Sequence, residues 1–132
     1  MITSILTSTK KILGISDVYT AFDEDIIMHI NTVFSTLNQL GLGPVDGFAI
    51  ADNVAVWDDF LVMDNRLNNV KTYMFMRVKL MFDPPSTSYL IASMERQVEQ
   101  LEWRLNTYRE ATGWVDPNPP VVVDPYYYNP FV

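Results

Sequence analysis

Residues 67–105 constrain the fold more than any other stretch, because two helical patterns meet there at a corner that neither can cross. In the first, Leu67, Val70, Met74, Val78 and Met81 recur every three or four residues. Phe75 and Phe82 widen that stripe, and Tyr73, Met76 and Leu80 fill the back. A helix that is apolar over most of its circumference needs neighbours on several sides, so this one is central. Asp83-Pro84-Pro85 ends it. Pro84 lacks a backbone donor and pushes Asp83 out of the helical region. In the second pattern Leu90, Ile91, Met94, Val98, Leu101, Leu105 and Tyr108 make one narrow stripe, with Glu, Gln, Arg and Asn elsewhere. Such a helix covers a core on one side and meets water or a partner on the other.

The preceding half supplies the elements that this hairpin packs against. Residues 3–13 fit a short helix with Ile2, Ile5, Leu6, Ile12 and Leu13 on one face and Gly14 at the position of a left-handed cap. Alone it is too short to be stable in water, so it must pack on the body or on a neighbour. From Thr20 to Leu40, Ile26, Ile27, Ile30, Val33, Phe34, Leu37 and Leu40 keep helical spacing. Thr20 and Asp23 stand where a capping pair would, and Asp23, Glu24 and Asp25 favour the positive end of the helix. Gly41-Leu42-Gly43-Pro44 closes it. The alternation in Phe48–Trp57 about Asp52-Asn53 predicts a β-hairpin, which needs helices beneath it or a sheet completed by another chain. The fold expected is all-α, a bundle of about four helices with one short hairpin, over residues 1–112.

With 132 residues, 48% of them hydrophobic, the chain has enough apolar material for one domain and one core. No run of 18 apolar residues marks a membrane span, and Met1-Ile2-Thr3-Ser4 lacks the charged start of a signal peptide. Cysteine is absent, which excludes disulfides and thiolate metal sites. The net charge of −7 is uneven: residues 1–64 hold nine acids against two lysines, whereas residues 65–110 hold seven bases against five acids. Wrapping DNA requires clustered Lys and Arg, so an acidic half argues against gripping it. Lying near DNA without gripping it is compatible with this balance.

No catalytic constellation emerges. His29 is the only histidine, and no Ser, Cys or carboxylate is set beside it by a recognisable motif. Asp23-Glu24-Asp25 and Asp58-Asp59 lack the glycine-punctuated spacing of a calcium loop, and helix N-terminal charge accounts for both. Gly41-Leu42-Gly43-Pro44 lacks the lysine and hydroxyl of a phosphate loop. Met74, Met76 and Met81 sit at core spacing and read as packing. No cofactor or metal is expected.

After Arg109 the composition changes. Residues 113–132 hold five of the eight prolines together with Trp114, Val121-Val122-Val123, Tyr126-Tyr127-Tyr128 and Phe131. Proline at this density favours extended chain, but disordered segments are usually poor in aromatics and β-branched residues. Ordering about 20 residues costs on the order of 20 kcal/mol, less where proline already restricts the chain. Burying five aromatics of about 200 Å² each returns at most about 25 kcal/mol. The segment orders only if most of its rings find pockets, which makes it a docking tail for another chain, with the valines able to add a strand to a neighbour's sheet edge.

The order of these pieces resembles the head–tail connector proteins (adaptor, or head completion, proteins) of long-tailed bacteriophages. The residues that carry the likeness are Phe22–Asn31, Leu37–Gly41, the Phe48…Trp57 stretch, Val70–Tyr73 leading to Leu80–Pro85, and Met94-Glu95-Arg96-Gln97 leading to Glu102–Leu105. The resemblance spans residues 1–110. It implies a structural protein of the virion neck, assembled in the host cytoplasm, that forms a ring beneath the portal protein and hands the DNA channel on to a stopper or other tail protein. Such rings follow the portal's twelve-fold symmetry, and genomic DNA passes through without specific binding. A stopper or tail-completion protein of the same neck is the nearest alternative. A helical DNA-binding regulator is a different one, and it would need base-reaching Arg, Lys, Asn and Gln on a recognition helix. Arg96, Gln97, Gln100 and Arg104 are present, but Glu95, Glu99 and Glu102 lie among them. A small enzyme would need a polar pocket that the sequence does not show.

Overall fold

In a computed structural model, which describes residues 4–61 and 66–111, the chain is all-α. Its elements are α1 (Ile5–Ile12), α2 (Asp23–Gln39), the single turn α3 (Trp57–Phe60), α4 (Leu67–Phe82) and α5 (Ser88–Ala111). The side chains of residues 108–111, Tyr108 among them, and all of residues 112–132 lie outside the description.

α4 is the centre, as its pattern demands. Val70, Tyr73, Met74 and Val78 are completely buried, and Phe75, Met76, Leu80, Met81 and Phe82 pack against the core from its flanks. α1 and α2 cover one side of α4 and α5 covers the other. The helix stops at Phe82, with Asp83 leaving the helical region (φ −144°) before Pro84. α2 contributes Ile26, Ile30, Val33, Phe34 and Leu37, all fully buried. From α5, Val98, Leu101 and Leu105 reach the core, whereas Leu90 is exposed. On α1, Ile5 and Leu6 are buried and Ile12, expected on the same face, is exposed.

α1 and α2 end in the same way. Gly14 and Gly41 adopt left-handed φ of 78° and 83°. The residue after each glycine bonds back to the third-last helical carbonyl: Ile15 N–H to Lys10 O at 2.9 Å, and Leu42 N–H to Leu37 O at 3.0 Å. This is the two-bond cap that satisfies orphan carbonyls. The opening of α2 departs from expectation. Phe22 is the N-cap residue with no side-chain capping bond, because Asp23 faces α1 instead.

The expected hairpin does not form: among the described residues no strand is present, only one isolated antiparallel bridge between Ser4 and Val56. Helix α2 takes the hydrogen bonds that a partner strand would have used. The Asn31 carboxamide accepts from Ile50 N–H at 2.8 Å and donates to Ile50 O at 2.9 Å. Asp52 Oδ1 then turns the chain by accepting from Val54 N–H. Trp57 opens α3 rather than ending a strand, with the Asp59 carboxylate reaching back to Val56 N–H at 2.9 Å. The alternation has another cause: Ile50 is buried in the core and Phe48, half-buried, packs against it, while Ala49 and Ala51 stay outside. Phe34 holds this loop down through ring contacts to Phe48 (4.9 Å) and Phe60 (4.8 Å). Trp57 lies edge-on to Phe75 and donates Nε1–H to Ser8 Oγ at 3.0 Å.

Candidate functional site

Trp114, Val121, Val122, Val123, Tyr126, Tyr127, Tyr128 and Phe131, the residues expected to dock on a partner, lie outside the described residues. What the fold displays is a set of surfaces, together with two polar ties that hold them in place.

One tie is buried. Lys10 is only 2% exposed although it is a lysine. Its ammonium is 2.6 Å from Tyr19 O, 3.2 Å from Asp17 O and 2.8 Å from Asp23 Oδ1. The ammonium donates to the two carbonyls, and the Asp23 carboxylate, held as an ion pair, supplies the countercharge that burial requires. Lys10 thereby fixes the α1–α2 connection. The sequence held a signal for it: Lys10 falls four residues after Leu6 and three before Leu13, on the apolar face, with acids at residues 23–25. The second tie joins α4 to α5. Tyr73, fully buried, donates to Glu102 Oε1 at 2.7 Å, and Arg77 approaches the same oxygen at 3.4 Å. A tyrosine in a core stripe needs a partner for its hydroxyl, but nothing in one sequence names which.

The connection that Lys10 fixes carries exposed apolar side chains. Val18 is 84% exposed, and Tyr19 and Phe22 are exposed beside it. Tyr19, Phe22 and Phe82 form a chain of ring contacts at 5.7 and 5.5 Å, and His29 sits 6.3 Å from Phe82. Thus His29 is an edge partner of an aromatic ring. Just past the Asp83-Pro84-Pro85 corner Tyr89 and Leu90 are exposed as well. The corner end of the bundle is therefore apolar and uncovered, a feature typical of contact surfaces. Along its outer face α5 carries a shallow groove lined by Arg96, Glu99, Gln100, Trp103 and Arg104. Asp17, Glu24, Asp25, Asp46, Asp52 and Asp58 are all exposed on the N-terminal half.

Among the described residues no three His, Cys, Asp or Glu side chains come together to hold a metal ion. No described helix is long and apolar enough to cross a membrane. The geometry offers contact surfaces, acidic on one half and aromatic at the corner. Compared with known proteins, the chain matches the family model described as "Phage connector protein" over residues 5–112. No curated protein and no solved structure matches it.

Proposed function

Because the chain belongs to the phage connector protein family, whose members are structural proteins of the phage neck, we propose that it forms a ring beneath the portal and extends the DNA channel toward the tail. The family match carries this reading. One feature of the fold and two of the sequence support it. The first is the uncovered aromatic corner, which a subunit contact would bury. The second is the separation of charge, nine acids in residues 1–64 against a net basic 65–110 segment. Head-to-tail closure of a ring needs two different complementary surfaces on each subunit, and opposite charge supplies such a pair. The third is the acidic balance, which suits a conduit through which DNA must slide.

In this reading the ring adopts the portal's twelve-fold symmetry and presents its far side to a stopper or other tail protein. Residues 113–132 are the docking tail, with Trp114, Tyr126, Tyr127, Tyr128 and Phe131 as anchors and Val121–Val123 as an added strand on the portal or the adjacent subunit. Removing the tail tests its part. A chain ending at Gly113 is expected to keep its helix content by circular dichroism yet fail to attach to the portal or to build stable rings. Attachment equal to that of the full chain would make the tail passive and overturn this assignment.

A further inference from the structure

The outer face of α5 packs against no other described element, and it carries an unusual set of side chains for a solvated helix. Trp103 is 69% exposed. Arg96 and Arg104 flank it, exposed and without an ion pair among the described residues, and Gln100 lies one turn away in the same groove. Among the lining side chains two guanidiniums stand against the single carboxylate of Glu99, with Glu95 and Glu102 next to them on the helix. An exposed indole between arginines is a stacking platform for a rigid, weakly acidic, extended ligand.

The chain contains such a ligand. Residues 112–132 have no Lys or Arg, and they include Asp116 immediately before Pro117-Asn118-Pro119-Pro120. Pro117 and Pro120 have the PxxP spacing that aromatic-lined grooves recognise, in a conformation whose entropy is already low. Asp116 brings a carboxylate next to that segment and so within reach of the flanking guanidiniums. Asp116 lies five residues beyond the end of α5 at Ala111. At about 3.1 Å per residue an extended chain of that length spans about 16 Å, so the segment can reach a groove only on a subunit packed directly against its own, as neighbours in a ring are.

We infer that the Trp103 groove of α5 receives the Asp116–Pro120 segment of an adjacent copy of this chain. The inference rests on the ring reading and names the receiving surface for the tail. Proline rings stack on the Trp103 indole, Asp116 pairs with Arg104 or Arg96, and each subunit gives one tail and accepts one. That is the asymmetric pair of surfaces a head-to-tail ring uses.

The absence of native cysteine makes a clean test. One full-length population carries Gln100→Cys and a second carries Asn118→Cys. The two are mixed, their assembly state is recorded by light scattering, and they are oxidised mildly and run without reductant. Docking between copies predicts a covalent heterodimer. Its yield is expected to fall at least tenfold when Trp103→Ala, or Arg96→Glu with Arg104→Glu, is added to the Gln100→Cys chain. A cysteine on the far side, Ser35→Cys on α2, is expected to cross-link to Asn118→Cys no better than those variants; an equal yield there would overturn the inference. Rings without the Gln100–Asn118 cross-link overturn the docking and leave the ring reading standing. Chains that neither assemble nor cross-link overturn both. If a chain carrying both cysteines closes only on itself, as a faster-running monomer, docking between copies is overturned too.

Discussion

The Tyr73 hydroxyl donates a 2.7 Å hydrogen bond to Oε1 of Glu102, so the central helix and the outer helix are joined by a polar bond at the edge of an apolar seam. Arg77 approaches the same oxygen at 3.4 Å, and its guanidinium lies 5.8 Å from the Tyr73 ring centre. Glu102 is thus held by two donors from α4, which fixes the rotation of α5 and with it the direction in which Trp103 points.

The tie makes stability depend on alkaline pH. Burial foremost, and then the Glu102 bond, push the Tyr73 phenol well above its ordinary value, while Arg77 pulls it part of the way back. The folded state therefore keeps a proton that an unfolded tyrosine loses near pH 10. The stabilisation is complete below about pH 10 and is lost as pH rises toward the folded value. Urea unfolding at stepped pH is expected to show the full-length protein weakening above pH 10, with a flatter slope in Tyr73→Phe. At pH 7 that variant loses about 1–2 kcal/mol through the missing bond to a partly exposed carboxylate.

Lys10 gives a second prediction. Lys10→Ala leaves Asp23 without its countercharge and frees two carbonyls, at an expected cost of about 3 kcal/mol. Lys10→Met keeps the apolar stem in place and is expected to be the milder change. Limited proteolysis separates local from global effects: Lys10→Ala exposes residues 15–22 to cleavage before the rest of the chain. Protection equal to the unsubstituted protein would mean that the ammonium does not hold this connection.

Two glycines with nearly the same backbone allow a controlled comparison. Gly14 (φ +78°) has open space where a Cβ would stand, whereas at Gly43 (φ +81°) a Cβ would run into the Phe60 ring. Gly14→Ala is expected to cost about 1 kcal/mol, the left-handed penalty alone. Gly43→Ala adds a clash in a packed aromatic cluster, about 1–3 kcal/mol more. Equal losses in chemical denaturation would mean that the Phe60 ring moves aside freely.

A fourth prediction concerns DNA contact. With a net charge of −7, the isolated subunit is expected to show no measurable affinity for duplex DNA near physiological salt. Anisotropy titration checks this, and clear, salt-sensitive binding would favour a DNA-binding regulator over a conduit.

How far the sequence carried the fold depended on whether a pattern was local. α4 follows the expected bounds, Leu67 to Phe82, because an apolar period and a proline stop both act within a few residues. The glycine caps of α1 and α2 were legible for the same reason. The stretch from Phe48 to Trp57 was misleading because its hydrogen-bond partner is Asn31, 19 residues before Ile50 and inside a helix. An alternation of buried and exposed residues reads the same whether a strand or an irregular loop produces it. The Lys10 and Tyr73 ties are pairings across elements, and a single sequence shows that such residues need partners without naming them. Ile12 and Leu90 lie on apolar stripes yet remain exposed, since the stripe outruns the neighbour it packs on.

The central claim, a ring that continues the portal channel, is tested most directly by electron microscopy of the purified full-length protein bound to its portal. The account predicts added density coaxial with the portal, with the portal's rotational symmetry and an open central channel, in which each subunit is built around α4. Density on the portal's flank, a plug without a channel, or no attachment of a protein that stays monomeric would contradict it.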